Sequence, residues 1–366
     1  MGLAACGPAW TPDEGEATSS TASAIYAGVV DDDAQQNASV VAVTAGPGPT
    51  VTLCSGALIA PNVVLTARHC VSVESSTNIS CDQNGVSLTG DNFTGDQPVG
   101  VVRVFTGPAP NLAGTPSATA RALYHPAGNV LCNADVALIV LDHPITTVAP
   151  MRVRLAGPVA TGDSVRAVGY GQNDQNTTQT VGLRYRKDGV TVLAVGSTVS
   201  ASQTPLGASE FEVGESMCGG DSGGPAISEK TGAIVGVVSR GGACTDQTGH
   251  VYTTLTAFQT VFQAAFADAG GAPYDENGPQ PTVDGGTPMA DDAGTLGGSS
   301  SGGSSGSSSG ASSGGNGYGG DVNLHSGQGK GCNASGTSPA RDVPGAMIAV
   351  GLAAFAWFFA RRRARQ

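Results

Sequence analysis

The sequence predicts an all-β fold closed by a single helix. Composition points there first. Only 13% of the 366 residues are charged, and Gly, Ser, Thr, Val and Ala dominate the rest, a mixture that favours short strands and turns. Short apolar runs point the same way: Val63-Val64-Leu65 and Ala137-Leu138-Ile139-Val140-Leu141 have the length of buried strands. Near the end of the folded region, Leu255 to Ala267 has helical period instead. Its Phe258, Val261, Phe262 and Phe266 lie on one stripe.

Taken from the start, residues 1–24 read as a signal remnant and pro-segment. Leu3-Ala4-Ala5-Cys6 resembles a bacterial lipobox, in which the cysteine is lipidated. The few residues before Cys6 are too short for a signal peptide, so a start further upstream is expected. Pro8 to Ala24, rich in Thr, Ser and acids, has the composition of a disordered segment. Asp31-Asp32-Asp33 reads as a solvated turn; a calcium loop lacks its further ligands.

Three short strings carry chemistry. Thr66-Ala67-Arg68-His69-Cys70 ends the first strand, and Asp135 opens the second. Cys218-Gly219-Gly220-Asp221-Ser222-Gly223-Gly224-Pro225 sets a serine in a glycine nest. Glycines there let backbone N–H groups converge on an anion, the arrangement that stabilises an oxyanion during acyl transfer. Gly220-x-Ser222-x-Gly224 alone also fits the nucleophile elbow of α/β-hydrolases, but those enzymes run Ser, acid, His. Here the order is His69, Asp135, Ser222. Each residue has a plain alternative (a core histidine, a strand cap, a turn serine), yet all three in this order are not a chance set.

On these strings the chain resembles the trypsin/chymotrypsin family of serine proteases over about Ile25 to Ala269. Val168-Gly169-Tyr170-Gly171, Gly236-Val237-Val238-Ser239 and Val251-Tyr252-Thr253 resemble further family stretches. The resemblance implies two packed six-stranded antiparallel β-barrels with a C-terminal helix. The first barrel spans about 25–147, the second about 148–254 and the helix about 255–268. It implies His69, Asp135 and Ser222 as the catalytic triad and the N–H groups of Gly220 and Ser222 as the oxyanion hole. It implies Ser239 and Gly241 as the wall that binds substrate backbone, and Ser216 at the base of the specificity pocket, where a basic-specific enzyme carries an aspartate. Arg240 stands where tryptophan is usual and His250 where glycine is usual. His250 either narrows the pocket, favouring small or, if protonated, acidic side chains, or points into solvent from a local insertion. Ile25-Tyr26-Ala27-Gly28 resembles the family's mature N-terminus. Cleavage of Ala24–Ile25 by an activating protease would free an α-ammonium to pair with Asp221, making the chain a zymogen. Ile25 as an ordinary first strand residue is the alternative.

Of eight cysteines, none has CxxC spacing, so no zinc, other metal or cofactor is expected. The resemblance implies Cys54–Cys70 and Cys218–Cys244, leaving Cys81–Cys132 by exclusion, and disulfides imply an oxidising compartment. From about Gly270 to residue 331 the composition is that of a disordered Gly/Ser-rich linker. Residues 332–366 follow: Cys332, an apolar run from Val343 to Ala360 just long enough for one transmembrane helix, and an arginine cluster that fits a cytoplasmic end. This layout resembles the sorting tails of myxobacterial surface proteins (the MYXO-CTERM type), in which the Gly-Cys marks processing and lipid attachment; a plain membrane anchor is the alternative.

The expected partners are protein or peptide substrates and a membrane, reached through helix or lipid. A net charge of −12 and a pI near 4.7 exclude nucleic acid. The sequence therefore reads as an extracytoplasmic serine endopeptidase at a bacterial envelope or surface. A non-enzymatic binding module on the same fold, or a surface spacer, are the competing readings.

Overall fold

A computed structural model describes residues 25–32, 37–47, 51–75, 79–172 and 181–283. Cys6, Ala24, Asp33, Cys332 and the apolar run 343–360 lie outside the described residues. Among the described residues no helix is long and apolar enough to cross a membrane.

The strands are β1 (Val29–Val30), β2 (Val40–Ala45), β3 (Thr52–Ala60), β4 (Val63–Thr66), β5 (Ser72–Glu74), β6 (Phe93–Asp96), β7 (Arg103–Phe105), β8 (Ala118–Tyr124) and β9 (Ala137–Leu141). After the crossover come β10 (Ser164–Gly169), β11 (Tyr185–Val195), β12 (Thr198–Val199), β13 (Pro205–Leu206), β14 (Glu210–Val213), β15 (Pro225–Ser228), β16 (Ile234–Arg240) and β17 (His250–Thr254). Helix α1 spans Gln259–Ala269. Strands β2-β3-β4-β9-β8-β7 close one barrel. In the second, β11-β10-β15-β16-β17-β14 closes through a β11–β14 pairing, with β1 added at the edge of β11. Two antiparallel six-stranded barrels and a C-terminal helix are thus the architecture.

The unbroken apolar runs are explained by burial on both faces. Along β4 and β9, Val64 and Ile139 point into the first barrel. Their neighbours Val63, Leu65, Leu138 and Val140 point outward, against Phe258, Phe262 and Phe266 of the C-terminal helix region and Ile234 and Val237 of the second barrel. Period-2 alternation therefore serves two cores at once. Val165, Val192, Phe211 and Tyr252 fill the second barrel, with Phe211 and Tyr252 stacked at 5.4 Å.

Three disulfides are present: Cys54–Cys70 and Cys218–Cys244, the pairs the resemblance implied, and Cys81–Cys132, the pair left by exclusion. Two expectations need correction. Asp31 is not in a solvated turn: it is 2% exposed and its Oδ2 accepts from Arg184 Nε at 2.8 Å and Asn37 Nδ2 at 3.0 Å. A buried carboxylate is tolerated because a buried cation meets it. Nor does a free linker begin at residue 270. Tyr274–Gly278 docks beside Val153, with Val153 N–H donating to Tyr274 O at 2.8 Å and Glu276 N–H to Val153 O at 3.0 Å. Arg154 grips the Glu276 carboxylate with two bonds, 2.8 and 2.6 Å. Arg152 donates to the carbonyls of Glu276 and Gly278. Arginines in the crossover between barrels thus latch a segment whose composition alone looks unstructured.

Candidate active site

His69 lies in a single 3-10 turn, Arg68–Cys70, directly after β4. The Cys54–Cys70 disulfide ties that turn to β3. Arg68 holds it from the other side, its guanidinium 4.5 Å from the Phe93 ring centroid and bonded to Pro126 O at 3.2 Å. Asp135, fully buried just before β9, meets the turn through both oxygens. Its Oδ2 accepts from His69 Nδ1 at 2.8 Å and from the Ser239 hydroxyl at 2.7 Å, and its Oδ1 from His69 N–H at 3.0 Å.

This arrangement fixes the imidazole tautomer. Nδ1–H faces the carboxylate, which leaves Nε2 as the basic nitrogen. Burial disfavours the imidazolium, but the charge and hydrogen bond of Asp135, with a smaller push from Glu74, override it and raise the His69 pKa above the ordinary histidine value. Burial alone would raise Asp135. The same histidine, together with the hydrogen bonds it and Ser239 donate, lowers it instead.

Ser222 follows a crowded nest. Gly220 and Gly223 have φ of 98° and 76°. A Cβ at Gly223 would lie 2.1 Å from Thr66 Oγ1, and one at Gly220 2.8 Å from Gly171 Cα, so only glycine fits either position. The Ser222 carbonyl accepts from Ser55 N–H at 2.8 Å and contacts Cys70 Sγ at 3.5 Å, which sets Ser222 beside the residue next to His69. The carbonyls of Gly219 and Gly220 turn away to Gln172 N–H and Ser55 Oγ. Among the described residues, neither the Gly220 nor the Ser222 N–H donates to the protein. The Ser222 hydroxyl makes no hydrogen bond to another described residue either, His69 included; such bonds often tighten only once substrate is bound.

Asp221 turns inward. It is fully buried and accepts from Gly171 N–H at 2.8 Å and Cys218 N–H at 2.9 Å. Burial drives its pKa up to about 7, against the opposing hydrogen bonds from Cys218, Gly171 and the Ile25 N–H. Ile25 is itself completely buried and holds φ 49°, a left-handed value that is strained for a β-branched residue.

The pocket side departs from expectation. His250 is 1% exposed, so it does not point into solvent. Its Nδ1 accepts from Ser216 N–H at 3.3 Å and Met217 N–H at 3.1 Å. Burial depresses its pKa against the pull of Asp246 and Glu215. A neutral imidazole removes the physical basis for an acidic preference. Ser216 is buried, its hydroxyl 3.3 Å from that of Tyr252. Sequence reasoning missed Met217. Its Cε reaches Gly241, where a Cβ would lie 2.6 Å away. The residue beside Ser216 is the natural one to inspect, but nothing local says that its thioether crosses to the opposite wall. Arg240 is ion-paired with Glu210.

Cys54, His69 and Cys70 are close enough to resemble a metal cluster. Both sulfurs belong to one disulfide, so the group lacks thiolate ligands.

Residues 29–262 match the trypsin family. The chain belongs to the trypsin family of serine proteases. It is 30% identical over 203 residues to the cercarial protease of Schistosoma mansoni, covering 52% of this chain and 71% of that protein. It is 29% identical over 202 residues to trypsin alpha-4 of Lucilia cuprina, covering 52% and 68%. Among solved structures, an inactivated protease paralogue of the scabies mite is similar at 19% identity with a TM-score of 0.49, over 66% of this chain and 99% of that one.

Proposed function

We propose that this chain is a serine endopeptidase that works through an acyl-enzyme. Ser222 Oγ attacks the peptide carbonyl while His69 Nε2 takes its proton. The C–N bond then breaks, and the same nitrogen returns the proton to the leaving amine. Water repeats the sequence to release the acid. Asp135 holds the imidazole and stabilises its cation, and the Gly220 and Ser222 N–H groups bind the developing oxyanion. Ser239 and Gly241 align the substrate backbone. The observation that carries this reading is the pairing of His69 with the buried Asp135, beside a serine whose nest keeps two N–H groups without a partner among the described residues.

The preferred residue before the scissile bond is small and uncharged. Met217 reaches Gly241 and donates its N–H to His250, contacts that would narrow a pocket between them, and Ser216 supplies no anion for lysine or arginine. The chain is made as a zymogen. Cutting Ala24–Ile25 removes the preceding carbonyl that strains Ile25 and supplies an ammonium for Asp221. The lipobox-like Cys6, the tail cysteine Cys332 and the apolar run 343–360 support a tether at a bacterial envelope, outside the cytoplasm.

A panel of chromogenic peptide amides tests the reading. Turnover after Ala or Gly, lost by about 10³-fold or more in Ser222→Ala and His69→Ala, is expected. Faster turnover after Arg than after Ala refutes the specificity, and equal turnover by Ser222→Ala refutes the mechanism.

A further inference from the structure

We propose that Glu210 and Arg240 form a clamp between the barrels that positions Asp135; this rests on the triad reading above. Glu210, at the start of β14, is completely buried. One side of its carboxylate faces Arg240 at the end of β16: Nη1 bonds Oε1, Nη2 bonds Oε2 at 2.8 Å, and Nη2 also reaches Pro205 O at 3.2 Å. The carboxylate also meets two backbone N–H groups, one of them from the first barrel. Oε1 accepts from the N–H of Asn133 at 2.7 Å, and Oε2 from the N–H of Gly207 at 2.8 Å.

Asn133 lies two residues before Asp135 and has no slack. Its φ is 61°, and its Oδ1 accepts from Ser209 N–H at 2.5 Å. A Cβ at Gly85 would fall 2.4 Å from Asn133 Cβ, and one at Gly207 2.7 Å from its Oδ1. The second barrel therefore holds the aspartate twice, through Ser239 on its carboxylate and through Glu210 on the backbone leading to it. Arg240 directly follows Ser239, so one strand end serves both contacts. A buried carboxylate keeps its charge and its aim only while a cation and good donors surround it. Arg240 supplies the cation, and the two N–H groups supply the aim.

Glu210→Leu/Arg240→Leu removes the charge pair together and keeps apolar bulk, an exchange that buried pairs often tolerate. The expected result is a folded protein whose kcat falls about tenfold while KM stays within twofold, because Asp135 acts on the imidazole and not on substrate binding. Arg240→Lys, which keeps Glu210 paired, is expected to recover most of that loss. The downfield proton resonance of the His69 Nδ1–H···Asp135 bond is expected to move in the double variant and hold in Arg240→Lys. A folded double variant with unchanged kcat and resonance overturns the proposal, as does Arg240→Lys falling as far as the double variant. If the double variant does not fold, Glu210→Gln, with one acceptor oxygen for the four donors on this carboxylate, is expected to lose at least threefold in kcat and shift the resonance; no change in either overturns the proposal. Wild type that never reacts at Ser222 sinks the protease reading instead, while the resonance, which needs no turnover, still tests the clamp.

Discussion

Asp221 gives the sharpest prediction. In the uncut chain this carboxyl is fully buried and, among the described residues, accepts from the N–H groups of Gly171, Cys218 and Ile25. Burial lifts it from 3.8 to about 7. Each pKa step of one corresponds to about 1.4 kcal/mol, so ionising it in the fold costs about 4 kcal/mol relative to the unfolded chain. The sign follows from a raised acid: the stability is present below pH 3.8, drains as pH rises, and is gone above about 7. A chain that begins at Ile25 places an α-ammonium where the amide was. The carboxylate is then paired and the drain disappears. The left-handed strain at Ile25, of order 1–2 kcal/mol, disappears with the preceding carbonyl. The assay is thermal unfolding between pH 4 and 8 of both forms, each carrying Ser222→Ala to prevent autolysis. A domain of this size shifts by about 2–4 °C per kcal/mol, so the Ile25 form should melt roughly 10–24 °C higher at pH 8 and, with only the strain relieved, about 2–8 °C higher at pH 4. Asp221→Asn should flatten the uncut curve. Parallel curves for the two forms would refute the reasoning.

Three further outcomes follow from the same geometry. Because Asp135 raises the His69 pKa, kcat/KM should rise with pH through a midpoint above 6.5. Asp135→Asn should bring that midpoint down and cost about 10⁴ in kcat; an unmoved midpoint counts against the pairing. Met217→Ala, which clears the thioether from Gly241, should raise kcat/KM for Leu or Phe over Ala at least tenfold in a peptide panel, and an unchanged ratio rejects the pocket account. Glu276→Ala should lower stability in urea by about 1–3 kcal/mol by removing the carboxylate that Arg154 and the Thr231 hydroxyl bond, and should open residues 270–283 to protease. No change in either would mean the latch contributes nothing.

The sequence made legible what is written in local strings. His69, Asp135 and Ser222 each sit inside a short motif whose neighbours are also needed, such as Gly223, where nothing larger fits against Thr66. Two of the disulfides have one cysteine in those strings, Cys70 and Cys218, and the third followed by exclusion. What stayed hidden depends on distant partners. Asp31 looked solvated because its cation, Arg184, is 153 residues away. His250 looked open to solvent or protonation until two amides were found on Nδ1. The Glu210–Arg240 pair needs the register β14–β17–β16, which no local pattern encodes. The docked Tyr274–Gly278 looked like linker because the Gly- and Pro-rich residues around it hide a backbone pairing with Val153.

The most direct measurement of the central claim is covalent capture of the nucleophile. The protein beginning at Ile25 is treated with a fluorophosphonate and its peptides are mapped by mass. The account predicts one adduct, on Ser222, formed with second-order kinetics that slow as His69 is protonated, and absent after His69→Ala. An adduct on another hydroxyl, or none on a folded protein, would contradict it.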